Sequence, residues 1–526
     1  MRTRIQSLSD ERGFALILAI SLVTLVTLTA VSIMTLTQGE DTNSRRDQAK
    51  DGAFQAAEAG TNAYLSDLTQ SNIFFSGYMA KGEATRTDGS NVAHANNCSV
   101  TCSDLAWTSG TTWTYKTAAA SDTGWFNLGN GYDYLIKVYP PNTSLLGLAQ
   151  VITRIDVIGR PHGGIDVTKW HTIETMIRPS SLTDFQAFLG SSISYGSAAT
   201  TSGPIFVGED SNGVKGTLNH DGTAKANLYA EGSVTGSTTL LNAAKKYDKS
   251  TSPTALCKLN NCAAVPFSSL TPTIPKVKAA AGAPGNILLA ATDPTNPALS
   301  GQSPAYSVDA WKLVFQTNGT VLVSSCKKYS TGGSTPTIYE DYDGTNQPVC
   351  GTAVSKTVPP LQGAIYSDGP DVIVSGVVNG TLAVATPGDI VYGGNLTYTQ
   401  NGADVIGLEA GGTIYIARWA PDANGDITIY GAQFALGGPW TADPKSPCGS
   451  GSPQTNGCHA VCSTITKCTM NFYGSSALEG VSGGSISMSA MFNTRNYNYD
   501  PNLLFLPPPF WPSLGNSFTI LVQREL

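Results

Sequence analysis

Phe14–Leu36 reads FALILAISLVTLVTLTAVSIMTL, 23 residues without a charge, directly after Arg12-Gly13. Wound as a helix it would extend roughly 34 Å at about 1.5 Å per residue, enough for a hydrocarbon core of about 30 Å. The apolar core of a secretory signal is only about 7 to 15 residues long, so the stretch predicts a membrane anchor that the chain keeps. Arg2, Arg4 and Arg12 lie before it and set the leader on the cytoplasmic side; Arg45, Arg46 and Lys50 on the far side reduce the positive-inside contrast. The plain reading of these features is a single-pass anchor with a short juxtamembrane helix.

The helical pattern continues past the apolar run. Ala49, Ala53, Ala56, Ala57, Ala63, Tyr64 and Leu68 follow helical spacing and form one stripe of mostly small residues, fit to pack closely on a globular domain or on other helices. Gly13-Phe14-Ala15-Leu16-Ile17 resembles the processing site of type IV prepilins, and Gln48–Asn62, with Gln55-Ala56-Ala57-Glu58-Ala59-Gly60 at its centre, resembles the helix continuation of PilX-type minor pilin-like proteins. The resemblance covers residues 1 to about 70. It implies that a prepilin peptidase cuts after Gly13, leaving Phe14 as a methylated mature N-terminus, and that the helix meets other pilins and an assembly platform. Leu18 would be the fifth mature residue, where major pilins carry a glutamate that pairs with a neighbour's N-terminal amine. Its absence, with a length of 526 residues, implies a minor or priming component in place of the bulk subunit.

Composition governs the remainder. With 55 Gly, 13% charged residues and little helical periodicity beyond residue 70, the exported part reads as β-structure with many turns. The net charge of −7 is thinly spread, and no basic-aromatic strip tracks phosphates, so no nucleic-acid partner is expected. Tyr132–Val138, Val151–Ile158 and Val167–Ile177 alternate as strands of an antiparallel sheet laid on the long helix, with Thr153–Arg178 as its closing strands. From Phe185 onward, short runs such as Asp371–Val374, Thr381–Val384, Asp389–Tyr392 and Asp426–Tyr430 are separated by Gly, Asn or Asp. Strands this short cannot each build a core, but stacked in coils they bury a continuous one. That predicts a parallel β-helix, with a β-sandwich as the alternative.

The expected organisation is a leader over 1–13, a transmembrane and amphipathic helix over 14–70, a β-rich pilin-like head over 71–180 and a β-helix-like body over 181–526. The body carries a cysteine loop at 448–468 and a Pro-rich cap around Leu506–Pro512.

All ten cysteines, Cys98, Cys102, Cys257, Cys262, Cys326, Cys350, Cys448, Cys458, Cys462 and Cys468, follow the apolar run, and their even number suits disulfides outside the cell. Cys458, His459 and Cys462 come within zinc-ligand spacing, but the Pro and Gly neighbours and the exported setting favour disulfides. No cofactor is expected. The alternative is calcium at Asp422, Asn424 and Asp426, which alternate as at the start of a calcium loop but lack the distal glutamate. Asp341/Asp343, Asp368/Asp371 and Asp422/Asp426 are the acidic pairs a β-helix hydrolase would use, yet Asp and Asn are what such turns need anyway. None of the five histidines has a Ser or Cys partner in a recognisable nucleophile motif, and no P-loop occurs, so no enzyme is expected. The expectation is a minor pilin-like component of a type IV pilus or secretion pseudopilus, in the cytoplasmic membrane before assembly and on the filament or cell surface afterwards. The competing class is a tethered adhesin that binds glycan or a host surface.

Overall fold

The computed structural model describes residues 10–70, 113–115, 125–139, 152–210, 213–248, 273–301, 303–327, 348–417, 419–422, 425–442, 469–479, 486–488 and 492–526. Strands dominate beyond the long N-terminal helix, in agreement with a mainly β fold. The chain forms two compact units, one of Met1–Pro141, Thr153–Ile177 and Val522–Leu526, the other of Asn142–Ile152 and Arg178–Leu521.

The first unit pairs α1 (Asp10–Gln70) with a twisted antiparallel sheet of β1 (Trp113–Tyr115), β2 (Phe126–Asn127), β3 (Tyr132–Tyr139), β4 (Thr153–Pro161) and β5 (His171–Ser181). Alternation decides the two faces. Ile155 and Val157 of β4 and Tyr134 and Ile136 of β3 are buried on the helix side, whereas Arg154 and Asp156 point the other way. β5 is not the closing strand that the sequence suggests. The C-terminal strand Ser513–Glu525 pairs beyond it, with Leu526 N donating to Thr172 O at 2.9 Å and Arg524 bridging to Glu174 at 2.7 Å. Arg524 and Glu174 stand 350 residues apart in the chain, so no local signal in either segment names the other as its partner.

In the second unit most ladders are parallel; the exceptions join Thr320–Lys327 antiparallel to Ala310–Phe315, Val349–Cys350 and Val354–Thr357. Gly363–Ser367, Thr381–Thr386, Val405–Ala410, Ile427–Ala435 and Thr469–Leu478 pair successively, and Asp371–Val378, Ile390–Tyr398, Ile414–Ile416, Trp440–Ala442 and Ile486–Ser487 make a second series. β-sandwiches pair their strands antiparallel, so this register is not theirs. Thr469–Leu478 then pairs with Ala187–Leu189, which continues through Ile205–Val207 and Leu228–Ala230 to Lys246–Asp248. The first rungs of the unit are therefore stacked on its last.

Inward positions make one continuous core, including Ile365, Val384, Leu408, Ile429 and Phe472. Outward positions are covered as well. α2 (Thr273–Ala281) lays Ile274, Val277 and Ala281 on Ala364, Tyr366, Ala383 and Ala385, which is why Thr381–Thr386 is buried on both faces. The sequence reading passes over this helix. Pro275 in its first turn and the closing Ala279-Ala280-Ala281 are the signals that could have found it.

Turn carboxylates tie rung to rung. Asp371 accepts from Asp389 N at 2.8 Å, Asp389 from Thr413 N at 2.7 Å, and Asp426 from Thr469 N at 2.7 Å. Cys326 and Cys350 form a disulfide between neighbouring antiparallel strands, in register with one another.

Candidate functional site

α1 changes character along its length, and that change builds the candidate surface. From Ile20 to Met34 every large hydrophobic side chain is 57–66% exposed. Soluble monomers rarely leave so long an apolar surface uncovered. The nine such residues, at about 1.5–3 kcal/mol each, represent a burial free energy on the order of 20 kcal/mol that the rest of the described chain does not use.

The hydroxyls on this stretch are silenced by the helix itself. Thr24 donates to Ile20 O at 2.5 Å, Thr27 to Val23 O at 2.6 Å, Thr29 to Leu25 O at 2.9 Å, Ser32 to Leu28 O at 2.8 Å and Thr35 to Val31 O at 3.0 Å. Each donor closes on the preceding turn, so it asks nothing of its surroundings. Such a surface can exchange lipid for other apolar helices without leaving an orphaned polar group. Among the described residues no helix is long and apolar enough to cross a membrane; the side chains described within the apolar run are those of residues 19–35.

Past residue 48 the helix packs on the head sheet through its small residues. Ala53, Ala56, Ala57, Thr61 and Tyr64 are buried, whereas Asp51, Gln55, Glu58 and Asn62 line the opposite, exposed face. The approach is close enough to require glycine on the strand: a Cβ at Gly159 would lie 1.8 Å from the Ala53 carbonyl oxygen. Gly60 of the helix likewise sits against Tyr134 and Val157. Tyr132 fixes the upper end, its hydroxyl donating to Gln48 O at 3.3 Å. The stripe expected to pack on a globular domain does so, from residue 53 to residue 64.

The far face of the sheet is closed by ion pairs. Asp133 meets His162 Nδ1 at 2.7 Å and Arg160 at 3.4 Å, and Arg160 lies 3.6 Å over the Trp125 ring. Glu174 is held between Arg154 at 3.1 Å and Arg524 at 2.7 Å. These charges satisfy one another, and the longest run of exposed apolar side chains described in the unit is that of the helix.

Gly13, Phe14 and Leu18 all fall on α1, which begins at Asp10, but their side chains lie outside the described residues. The same holds for Cys98, Cys102, Cys257, Cys262, Cys448, Cys458, Cys462, Cys468, Asn424, Asp341 and Asp343. Of the other acidic candidates, Asp368 pairs with Lys278 at 2.6 Å, and Asp422 Oδ1 accepts from Asp426 N at 3.0 Å. Asp422 and Asp426 thus serve their turn and the next rung. His220, fully buried, stacks on Tyr195 at 5.1 Å and bonds Thr201 at 3.1 Å; burial lowers its pKa to about 4, so it is a neutral core residue.

A family model described as PilX N-terminal matches residues 12–62, which takes in both the apolar surface and the small-residue stripe. This is the segment on which the resemblance to PilX-type minor pilins rests. Among solved structures the chain is similar to the competence-associated pilin ComZ from Thermus thermophilus, at 13% identity over 91% of this chain and 97% of that one. The TM-score is 0.25, too low to carry an argument. No curated protein matches.

Proposed function

We propose, on the premise of an N-terminal segment that matches the PilX N-terminal family, that this chain is a minor pilin-like subunit of a type IV pilus or related filament. The observation that carries the reading is the apolar, hydrogen-bond-closed surface of residues 19–35, continuous with a stripe already docked on a head sheet. Before assembly the run Phe14–Leu36 holds the chain in the cytoplasmic membrane as a single pass. A prepilin peptidase removes the leader after Gly13, and the helix is drawn from lipid into contact with other pilin helices. The assembly platform supplies the work. The parallel rungs of the second unit support reading it as a β-helix.

Gly13→Val tests the first step. A branched side chain at the cut should leave the leader attached, read as an intact N-terminus by mass spectrometry, while the parent chain begins at Phe14. A parent chain beginning well beyond Leu36 would refute the reading.

The subunit belongs at a filament end or in a priming complex. Pilin helices pack within roughly 10 Å of one another, so a large body on every subunit would collide with its neighbours. Gold labelling is therefore expected at filament ends, and continuous labelling of the shaft would contradict the placement. Normal filament numbers in a deletion strain that has lost surface attachment would move the function from assembly to adhesion.

A further inference from the structure

We propose that a cleft in the second unit binds an uncharged sugar, a role that goes beyond assembly and does not depend on it. The cleft has a volume of about 610 Å³, within the range of small-molecule sites, and it opens to solvent. Phe185 and Tyr229 form its aromatic side, with Phe518 of the C-terminal strand also in the lining.

These rings are fixed in place. Tyr229 stacks on Tyr247 at 5.1 Å with planes 10° apart, and Phe185 packs edge-on to Phe188 at 5.4 Å. Asn227 Nδ2 donates to the Tyr229 hydroxyl at 2.9 Å, while Asn227 Oδ1 accepts from Lys245 N at 2.9 Å. Both the amide and the phenol are therefore oriented in advance. The partly exposed Phe518 ring, with a preset amide in the same lining, can take the C–H face of a pyranose and one of its hydroxyls.

The electrostatics select against charge. Among the described residues no lysine or arginine lines the cleft, and the one carboxylate among them is already committed. Asp184 pairs with Arg178, and its other oxygen accepts from Thr519 Oγ1 at 2.6 Å and Ser181 N at 3.1 Å. An anion would find no free cation among the described lining residues, and a cation would compete with Arg178. The remaining polar groups are hydroxyls and amides, the complement of a neutral polyol.

The rim is held in an unfavourable conformation. Asn242 and Ala243, both lining residues, have φ of 54° and 56°, consecutive left-handed positions without glycine. Each costs on the order of 1 kcal/mol, more readily borne by Asn than by Ala. Strain of this kind persists where the surrounding structure needs that particular geometry. Here it presents the Asn242 side chain, which is exposed, at the mouth of the cleft.

The test is calorimetric titration of the full chain, in a detergent without a sugar headgroup, with cellobiose, maltose, lactose and N,N′-diacetylchitobiose, and with glucuronate as the charged control. At least one neutral disaccharide should bind with a millimolar or tighter Kd. Asn242→Gly suits the left-handed backbone and should weaken that binding about 5-fold, the worth of one hydrogen bond. Phe518→Ala should weaken it about 10-fold through lost ring contact, a difference of about 1.4 kcal/mol. Both variants should melt with the parent. Absence of binding across the neutral panel, equal binding in both variants, or glucuronate binding as well as the neutral sugars would each overturn the proposal.

Discussion

Gly159→Ala is expected to destabilise the first unit by about 3 kcal/mol or more, a fall in melting temperature of roughly 6–12 °C. The added methyl would sit 1.8 Å from the Ala53 carbonyl oxygen and 2.8 Å from both the Ala53 carbonyl carbon and the Ala57 nitrogen. These are backbone atoms, so no rotamer change relieves the contact. Either α1 lifts off β4 or the strand bends, and both open the packing of Ala53, Ala57 and Val157. Gly301→Ala is the control, because a Cβ there meets nothing within 4 Å. Should the two variants melt alike, the close approach of helix and strand would not exist in solution.

Glu409→Gln is expected to do the opposite. Glu409 is fully buried, in register with Ala385 on one side and Phe434 on the other. Burial raises its pKa to about 8, and the Thr273 hydroxyl and the Lys276 charge on α2 offset only part of that effect. The unfolded chain releases this proton near pH 4.5, so between there and pH 8 the folded protein holds more protons than the unfolded one. Stability must then fall as pH rises through that window. At pH 7 the cost is on the order of 3 kcal/mol. Glutamine keeps the shape and carries no charge, so the variant should be more stable by about that amount at pH 7 and nearly equal to the parent at pH 4.5. Denaturant unfolding at both pH values checks it. A stability difference that does not change with pH would show that Glu409 does not titrate as its burial requires.

Much of the architecture can be read locally. The apolar run, the alanine stripe and the alternation in Tyr132–Val138 each report a periodicity within one segment, and periodicity is what a chain reveals without its partners. The short strands between Gly363 and Tyr430 are legible for the same reason, and their Gly and Asp punctuation marks the turns that the carboxylates brace. Pairing at a distance is what cannot be read. Ala187-Phe188-Leu189 lies beside Ser476-Ala477-Leu478, yet each is simply a short, mostly apolar strand, and nothing in either names the other. The cleft is hidden for a similar reason: Phe185, Tyr229, Asn242 and Phe518 come from four separate places in the chain. Glu409 reads as an ordinary polar residue in a strand until α2 is seen to cover it.

The stacking of the first rungs of the second unit on its last has a consequence for the order of folding. Ala187–Leu189 pairs on one side with Ile205–Val207 and on the other with Ser476–Leu478, and Thr172 lies between Ile158 and Leu526, so strands early in the chain are flanked on one side by strands far along it. Contacts of such sequence separation form slowly. A chain that stopped short of Thr469 would have neither the rung on which its early strands stack nor the last strand of its head. A chain cut short in this way would present unpaired strand edges in both units, so the two ends of each unit are needed together before either sheet is closed.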